Sequence, residues 1–418
     1  MTEQLRRIEH TIIVSKNGQE GVGKNRLVDR ASVHLIKLLR FYSYSKYVHY
    51  ITGERLMSQT LPKNTIDPSS YTSETIFSKE LDQIFARSWQ YVGHVCKVQN
   101  PGDYFVVDVA GESLIITRSS DNELNALFNV CAHRASRIAS GEGRKTRFVC
   151  PNHAWCYDNK GELLRAVNAD KVPGMNIKNY SLSRCAIEEV NGLLFVNLDS
   201  NADPIYSSVG DMVQEIQAAL PQLADYQFAH RTEVTMRANW KVAVENFSEC
   251  YHCPLVHKSF FSSRGSTEGG GVDADSYHIE TNGIWQRHHG IAYGGTVDES
   301  GAEESEDFVV WWLWPNFAVQ QHPGNMVNVR QWVPVSPDET YVYVDWFLPR
   351  DATEQDQKVF SEHASGVFAE DIPIIEWVQQ GLKSRGYRGG PLMIDKEGSV
   401  LSEHGVAEIQ ELWKASMV

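Results

Sequence analysis

No run in the 418 residues approaches the roughly 18–20 apolar residues that a membrane-spanning helix requires, so the chain is expected to work away from the membrane. Positive charge is scarce as well. With 39 Lys+Arg against 53 Asp+Glu the net charge is −14, which argues against a nucleic-acid-binding surface. No G-x-G-x-x-G follows a strand-like segment and no flavin-binding signature occurs, so the sequence offers no dinucleotide site of its own. Cysteine is sparse and odd in number: seven, from Cys96 to Cys253, in a chain too long to depend on disulfides. Among those lying within three residues of a histidine are Cys131, Cys150, Cys250 and Cys253. That favours metal ligation in a reducing, cytoplasmic compartment over cross-linking. Cys96 and Cys185 read as buried free thiols.

Aromatic residues, by contrast, are plentiful. The 11 Trp, 17 Tyr and 16 Phe promise large cores, and the length suits two domains. Residues 1–60 stand apart: the first 56 carry 10 Lys+Arg against 5 Asp+Glu, which leaves net −19 for the remainder. "ASVHLIKLLRFYSYSKYVHYI" has the pattern of a basic amphipathic helix, but the segment lacks the apolar core and cleavage site of a secretory signal. Its acidic residues argue against an import peptide. We read 1–60 as a leader, disordered or mis-started before Met57. In 61–89, "YTSETIFSKELDQIFARSW" puts Phe77, Leu81, Ile84 and Phe85 on one helical stripe that leads into a catalytic domain.

From Asp103 the pattern is an antiparallel meander. "DYFVVDV", "SLIITR" and "ELNALFNV" alternate like strands, with "AGE" and "SSDN" as turns. The last strand runs into "CAHR", and "TRFV" runs into "CPNHAWCY", followed by the turn "DNKG" and the strand "ELLRA". The result is Cys131-x-His133, sixteen intervening residues, then Cys150-x-x-His153. One reading of this set is tetrahedral structural zinc. The other is a Rieske [2Fe–2S] centre, with two cysteines on one iron and two histidines on the other. One Cys and one His from each β-loop favours the cluster.

"NVCAHRASRI" and "CPNHAWCYDNKGEL" resemble the cluster loops of Rieske non-haem iron oxygenase α subunits. Ala135 and Ala154 depart from the pattern, standing where that family usually has glycine. The resemblance implies a second, mononuclear Fe(II) held by two histidines and a carboxylate. "NWKVAVENFSECYHCPLVH" is similar to the family's iron-binding helix, with Asn239, Trp240, Lys241, Glu245 and Asn246 ahead of His252 and His257. A spacing of five is loose for a regular helix, so a distortion or a helix end is expected there. "EDIPIIEWVQQGLKSRGYRGG" resembles the family's C-terminal ligand helix, with apolar spacing at Ile374, Ile375 and Val378. That match assigns Asp371 as third ligand, against Glu370 and Glu376 as competitors.

In the family a carboxylate at the position of Glu249 links a Rieske histidine to an iron-bound histidine across a subunit boundary. The implied path runs from His153 through Glu249 to His252, with Asn246 also in the catalytic set. The plainer reading of Glu249 is a surface helix glutamate. Glutamate within "ECYHC", and the tails "QQGLKSRGYRGGPLMID" and "SEHGVAEIQ", resemble the branch acting on quaternary ammonium compounds such as carnitine and glycine betaine. The likeness spans residues 65–418. Independently, "FVVWWLWPNF" supplies Phe308, Trp311, Trp312, Trp314 and Phe317, with Trp285 and Tyr293 upstream. Cation–π attraction to such faces suits a trimethylammonium group, which donates no hydrogen bond. Aromatic strands are also ordinary core, and a pocket for an aromatic substrate has the same composition. From this set Trp312, Trp314, Phe317 and Trp285 are the expected substrate-binding residues.

The expected fold is α+β: an all-β Rieske domain over 90–205, ending near "NADPIYSS", then a catalytic domain of antiparallel sheet with helices over 206–418. The expected activity is reductive activation of O2 at Fe(II) and hydroxylation of a small organic substrate. Electrons come from a separate NAD(P)H-dependent flavin or ferredoxin-type reductase. The family's relay between subunits implies a homotrimer. Two other readings stand beside this one: an aromatic-ring-hydroxylating dioxygenase, and a non-catalytic Rieske carrier or zinc-binding protein.

Overall fold

The computed structural model describes residues 62–257, 271–273, 276–297, 303–322, 326–353 and 367–418; the leader 1–60 lies outside them. The strands of the first half are β1 (Gln90–His94), β2 (Asp103–Val109), β3 (Glu112–Arg118), β4 (Leu124–Phe128), β5 (Glu142–Arg144), β6 (Arg147–Val149), β7 (Cys156–Asp158), β8 (Leu163–Arg165), β9 (Arg184–Val190) and β10 (Leu193–Asn197). Seven form one sheet in the order β1-β10-β9-β4-β3-β2-β5, and β6, β7 and β8 form a small second sheet. Ala110 and Gly111, both at positive φ, close the two-residue turn from β2 to β3, a conformation that matches strand twist.

Alternation then sorts the side chains. Phe105, Leu114 and Ile116 enter one core with Val92, Leu194 and Val196. Tyr104 and Ile115 turn the other way, under the small sheet, where Phe148, Trp155, Tyr157, Cys131 and Cys150 share their core.

The second half holds β11 (Gln227–Met236), β12 (Gly271–Val272), β13 (His278–Thr281), β14 (Trp285–Val297), β15 (Glu303–Leu313), β16 (Phe317–His322), β17 (Met326–Ser336) and β18 (Glu339–Leu348). They form an antiparallel sheet in the order β11-β18-β17-β16-β15-β14-β12, with β13 also on β14. Beyond a single turn at Ser69–Thr72, the α-helices among the described residues are α1 (Glu74–Glu80), α2 (Tyr206–Ala219), α3 (Trp240–Phe247), α4 (Cys253–Val256), α5 (Val367–Leu382) and α6 (His404–Ser416). On one face of the sheet, Trp311, Leu313 and Val319 meet α2 and also Tyr91 and Phe195 of the first half. On the other, Trp312, Trp314, Trp332 and Val342 meet α1, α3, α5 and α6.

Three local features position the site. The stripe expected over 71–89 buries Phe77, Ile84 and Phe85, although the α-helix gives way to a π-turn over Leu81–Phe85. Asn239 caps α3 by accepting the Lys241 amide at 3.1 Å. Lys241 then pairs with Glu80 of α1 at 2.5 Å, both side chains fully buried. The Trp240 and Trp413 indoles also donate to Glu80, at 2.9 and 2.5 Å, so the buried carboxylate is well satisfied. On α5 the expected apolar stripe is displaced: Ile375 is buried, but Val378 is exposed and Gln379 is buried in its place. Gln379 earns that position by donating to Asp338 Oδ1 at 2.7 Å and accepting the Asn239 amide at 3.1 Å.

Candidate metal centres

The two Cys–His loops are near copies of one another. In each, the first cysteine's amide donates to a carbonyl five residues on: Cys131 to Ser136 at 2.9 Å, Cys150 to Trp155 at 2.8 Å. In each, the amide four residues on returns to the cysteine carbonyl at 3.0 Å, from Ala135 and from Ala154. Both turns require a left-handed residue, and the two alanines supply it at φ 58° and 54°. An L-residue there costs roughly 1–2 kcal/mol, more than the roughly 0.5–1 kcal/mol of extra chain entropy that glycine loses on folding. Ala154→Gly is therefore expected to raise the thermal midpoint of the holoprotein, and Ala135→Gly likewise; a lower midpoint in both would show that the turn carries no strain.

Both thiols are buried, whereas both imidazoles are exposed. The His133 and His153 rings meet edge-on at 4.6 Å, and Trp155 stacks on His133 at 4.8 Å. Cys131 Sγ lies 3.2 Å from the Tyr157 hydroxyl. Burial raises the Cys150 thiol, but the Asn152 amide, Cys131, the His153 amide and Ser136 outweigh it and leave its pKa lowered. Donors aimed at sulfur are what a thiolate ligand needs. The set fits a [2Fe–2S] cluster, for which the buried Cys131 and Cys150 would hold one iron and the exposed His133 and His153 the other.

The second cluster does not lie on one helix. Helix α3 ends at Phe247, and α4 is a single turn capped by His252 at one end and His257 at the other. This helix end accommodates the five-residue spacing. Asp371 enters from α5, one residue past its first turn. His252 Nε2, His257 Nε2 and Asp371 Oδ1 are 3.2, 3.4 and 3.0 Å apart, pair by pair. Three ligand atoms in adjacent positions around an ion with bonds of about 2.1 Å sit about 3 Å apart, so the triad fits one metal.

Charge follows the geometry. Burial pulls His252 down, but hydrogen bonds to Asp371 and Glu249 prevail and push its pKa up to about 10. Burial likewise raises Asp371, yet its bonds to the two histidines hold it down at about 2. Cys253 Sγ lies 4.0 Å from His252 Nε2, and with the two histidines it forms a cluster within 4.8 Å. Asp371 is closer and anionic, whereas burial pushes the Cys253 thiol far up, so the carboxylate is the better ligand.

Around the triad, Glu249 Oε1 holds His252 Nδ1 at 2.5 Å, while its Oε2 accepts the amides of Tyr251 and His252. Asn246 Nδ2 lies 3.3 Å from His252 Nε2 and 3.4 Å from Asp371 Oδ1. Glu370, considered as a rival ligand, instead meets His257 Nδ1 at 3.0 Å. Glu376 is engaged elsewhere, with Arg237 at 2.8 Å. Glu245 points away from the triad, accepting from the Tyr71 hydroxyl and the Gln410 amide; burial lifts its pKa to about 7.

The aromatic expectations need correction. Trp312 and Trp314 do share the face turned to α3, but both are closed into core, Trp314 against Trp240 at 5.8 Å. Trp285 and Phe317 are not on that face. Both pair across strands with Leu313, and cross-strand partners point the same way, so they join the cluster with Tyr91 and Phe195 on the far side. The side chain of Tyr293 lies outside the described set. At the end of α3, Phe247 stacks on His288 at 5.6 Å and tilts against Trp332 at 4.8 Å. The Arg330 guanidinium sits 4.9 Å over Phe247. Neither Phe247 nor Arg330 carried a sequence signal, since their place depends on strand register.

Comparison with known proteins matches residues 88–180 to the Rieske [2Fe-2S] domain and 223–415 to the ring hydroxylating alpha subunit catalytic domain. The carnitine monooxygenase oxygenase subunit of Acinetobacter baumannii is 36% identical over 350 residues, covering 82% of this chain and 92% of the relative. The chain belongs to the Rieske non-haem iron oxygenase α subunits. Members of this family carry a Rieske [2Fe–2S] cluster and a mononuclear iron, and the chain is accordingly an oxidoreductase. Chloroplastic choline monooxygenase of Beta vulgaris is 29% identical, covering 82% of this chain and 76% of the relative. Among solved structures, the quaternary ammonium Rieske monooxygenase CntA with L-carnitine aligns at TM-score 0.75 and 32% identity, over 85% of this chain and 96% of that one. Naphthalene 1,2-dioxygenase from Rhodococcus sp. shares the fold at TM-score 0.70 and 18% identity, over 89% of this chain and 97% of that one. No helix among the described residues is long and apolar enough to cross a membrane.

Proposed function

We propose that this oxygenase hydroxylates a small quaternary ammonium compound of the carnitine or betaine class, with His252, His257 and Asp371 holding the mononuclear iron. The observation that carries the substrate class is the 36% identity to a carnitine monooxygenase subunit across 82% of the chain. Cys131, Cys150, His133 and His153 hold the cluster in this reading. When bound, the two centres supply single electrons and the activation of dioxygen. The protein's share is to hold Nε2 of both histidines toward one point and to set one carboxylate charge beside them, with the Asn246 amide against both His252 and Asp371. Hydroxylation of a carbon attached to the quaternary nitrogen gives a carbinol that collapses to a tertiary amine, an aldehyde and a proton.

Two surfaces support a partner copy. The exposed His133 and His153 border an open apolar groove with Val167, Val172 and Tyr180. Leu255, beside the triad, is 82% exposed and Trp377 on α5 is 66% exposed. Among the described residues Glu249 bonds only within its own loop, to Tyr251 and His252. A ring in which one copy's groove covers the next copy's triad, as in a homotrimer, buries both patches and brings His153 to the neighbouring copy's Glu249. A separate NAD(P)H-dependent reductase supplies the electrons, and seven cysteines, all free, suit a reducing cytoplasm.

The test is oxygen uptake with reductase, screened against carnitine, γ-butyrobetaine, glycine betaine, choline and naphthalene. Uptake with release of a tertiary amine is expected for a carboxylate-bearing quaternary ammonium compound. Uptake with naphthalene and none of the ammonium compounds would overturn the substrate class.

A further inference from the structure

We infer that Glu370 is a positioning residue for the mononuclear metal, fixing His257 as Glu249 fixes His252. Each histidine of the triad meets a carboxylate through Nδ1: Glu249 at 2.5 Å for His252, Glu370 at 3.0 Å for His257. An ionised carboxylate only accepts, so the ring proton stays on Nδ1 and the Nε2 lone pair is left for a metal. Both Nε2 atoms then face each other at 3.2 Å, with Asp371 Oδ1 beside them. The two adjacent carboxylates of α5 thereby divide the work: Asp371 turns to the metal and Glu370 to the ring behind it. Among the described residues, the Glu370 side chain bonds His257 alone. Its side chain is 42% exposed, while that of His257 is 4% exposed, so Glu370 braces a buried ring from the rim and is replaceable without opening the core. Glu249 has a wider set of contacts, because its second oxygen also ties down the loop amides.

This inference rests on the reading of His252, His257 and Asp371 as a metal triad, and the test separates the two. The mononuclear metal is removed by chelation from the full chain with its Rieske cluster retained, and Co2+ is titrated back under anaerobic conditions. Glu370→Ala is expected to weaken Co2+ binding by about 10- to 100-fold, the usual effect of losing a carboxylate behind a ligating histidine. Melting of the metal-free protein is expected to stay unchanged. Glu370→Gln keeps an acceptor oxygen and is expected to recover part of the affinity. If Ala lowers the metal-free melting point, Glu370→Met, which keeps length but accepts nothing, must show the same weakening. Wild-type Co2+ affinity in Ala or Met overturns the inference. If Asp371→Ala also binds Co2+ as wild type does, the triad reading falls with it; if Asp371→Ala loses the metal while Glu370 variants keep it, only the positioning role fails.

Discussion

Asp371→Ala is expected to abolish turnover and empty the mononuclear site while leaving the visible spectrum of the Rieske cluster intact. Among the described residues Asp371 Oδ1 is the carboxylate oxygen beside both Nε2 atoms, 3.0 Å from that of His257 and 3.4 Å from that of His252. Two neutral imidazoles alone bind Fe(II) weakly and do not define a face of the coordination sphere. The substitution also removes the acceptor of the Asn246 amide, so the ring of polar contacts opens at two points. The cluster should not notice, because the cysteines proposed to hold it, Cys131 and Cys150, lie in a separate core with Phe148 and Tyr157. Iron analysis and absorbance on the same sample, about one iron lost of three and colour retained, measure both halves of the claim. Retained activity in Asp371→Ala, with loss in Glu376→Ala, would move the third ligand. The Arg237 bond that already occupies Glu376 argues for the first outcome.

Legibility in the sequence tracked how local each feature is. The cluster loops were readable because Cys131–His133 and Cys150–His153 are short-range patterns on strands whose alternation is also short-range. Even the departure at Ala135 and Ala154 proved informative, since both hold the left-handed turn that glycine takes without strain. Asp371 lies 114 residues beyond His257 in the chain, so nothing local could single it out; only the family resemblance did. Glu370 and Asp371 are neighbours of like charge, and which one faces His257 Nε2 and which Nδ1 is decided by the docking of α5 on α3. The aromatic strand failed for a different reason. Composition gave its rings but not the sheet's neighbours, and with both faces of that sheet covered, alternation assigns Phe317 and Trp285 to a core as readily as to a pocket. On α5, hydrophobic spacing misplaced Val378 because the buried slot there is polar and satisfied by Gln379.

Glu249→Ala is expected to separate the two metal functions. Losing this brace weakens metal binding as it does at Glu370, but with iron in excess both sites should fill, because Glu249 contributes no ligand atom in this assignment, and reductase should still reduce the Rieske cluster. Turnover is expected to fall by at least about 10- to 100-fold, the usual consequence of losing a group that orients a ligating histidine. The fall should be larger than for Glu370→Ala measured with iron in excess. Both carboxylates brace a ring, but only Glu249 is proposed to meet a histidine of a neighbouring copy. Glu249→Gln tests charge against shape. The amide retains one acceptor oxygen for His252 Nδ1, yet it can no longer accept through both atoms as the carboxylate does toward His252 and the Tyr251 amide. The decisive measurement is stopped-flow absorbance of pre-reduced protein mixed with substrate and O2. Loss of the reduced-cluster signal is expected to slow sharply in Glu249→Ala and less in Glu249→Gln, with iron content unchanged in both. Wild-type rates in Glu249→Ala would reduce Glu249 to a residue that shapes the loop between α3 and α4, and would send the search for the path from His153 to another part of the interface.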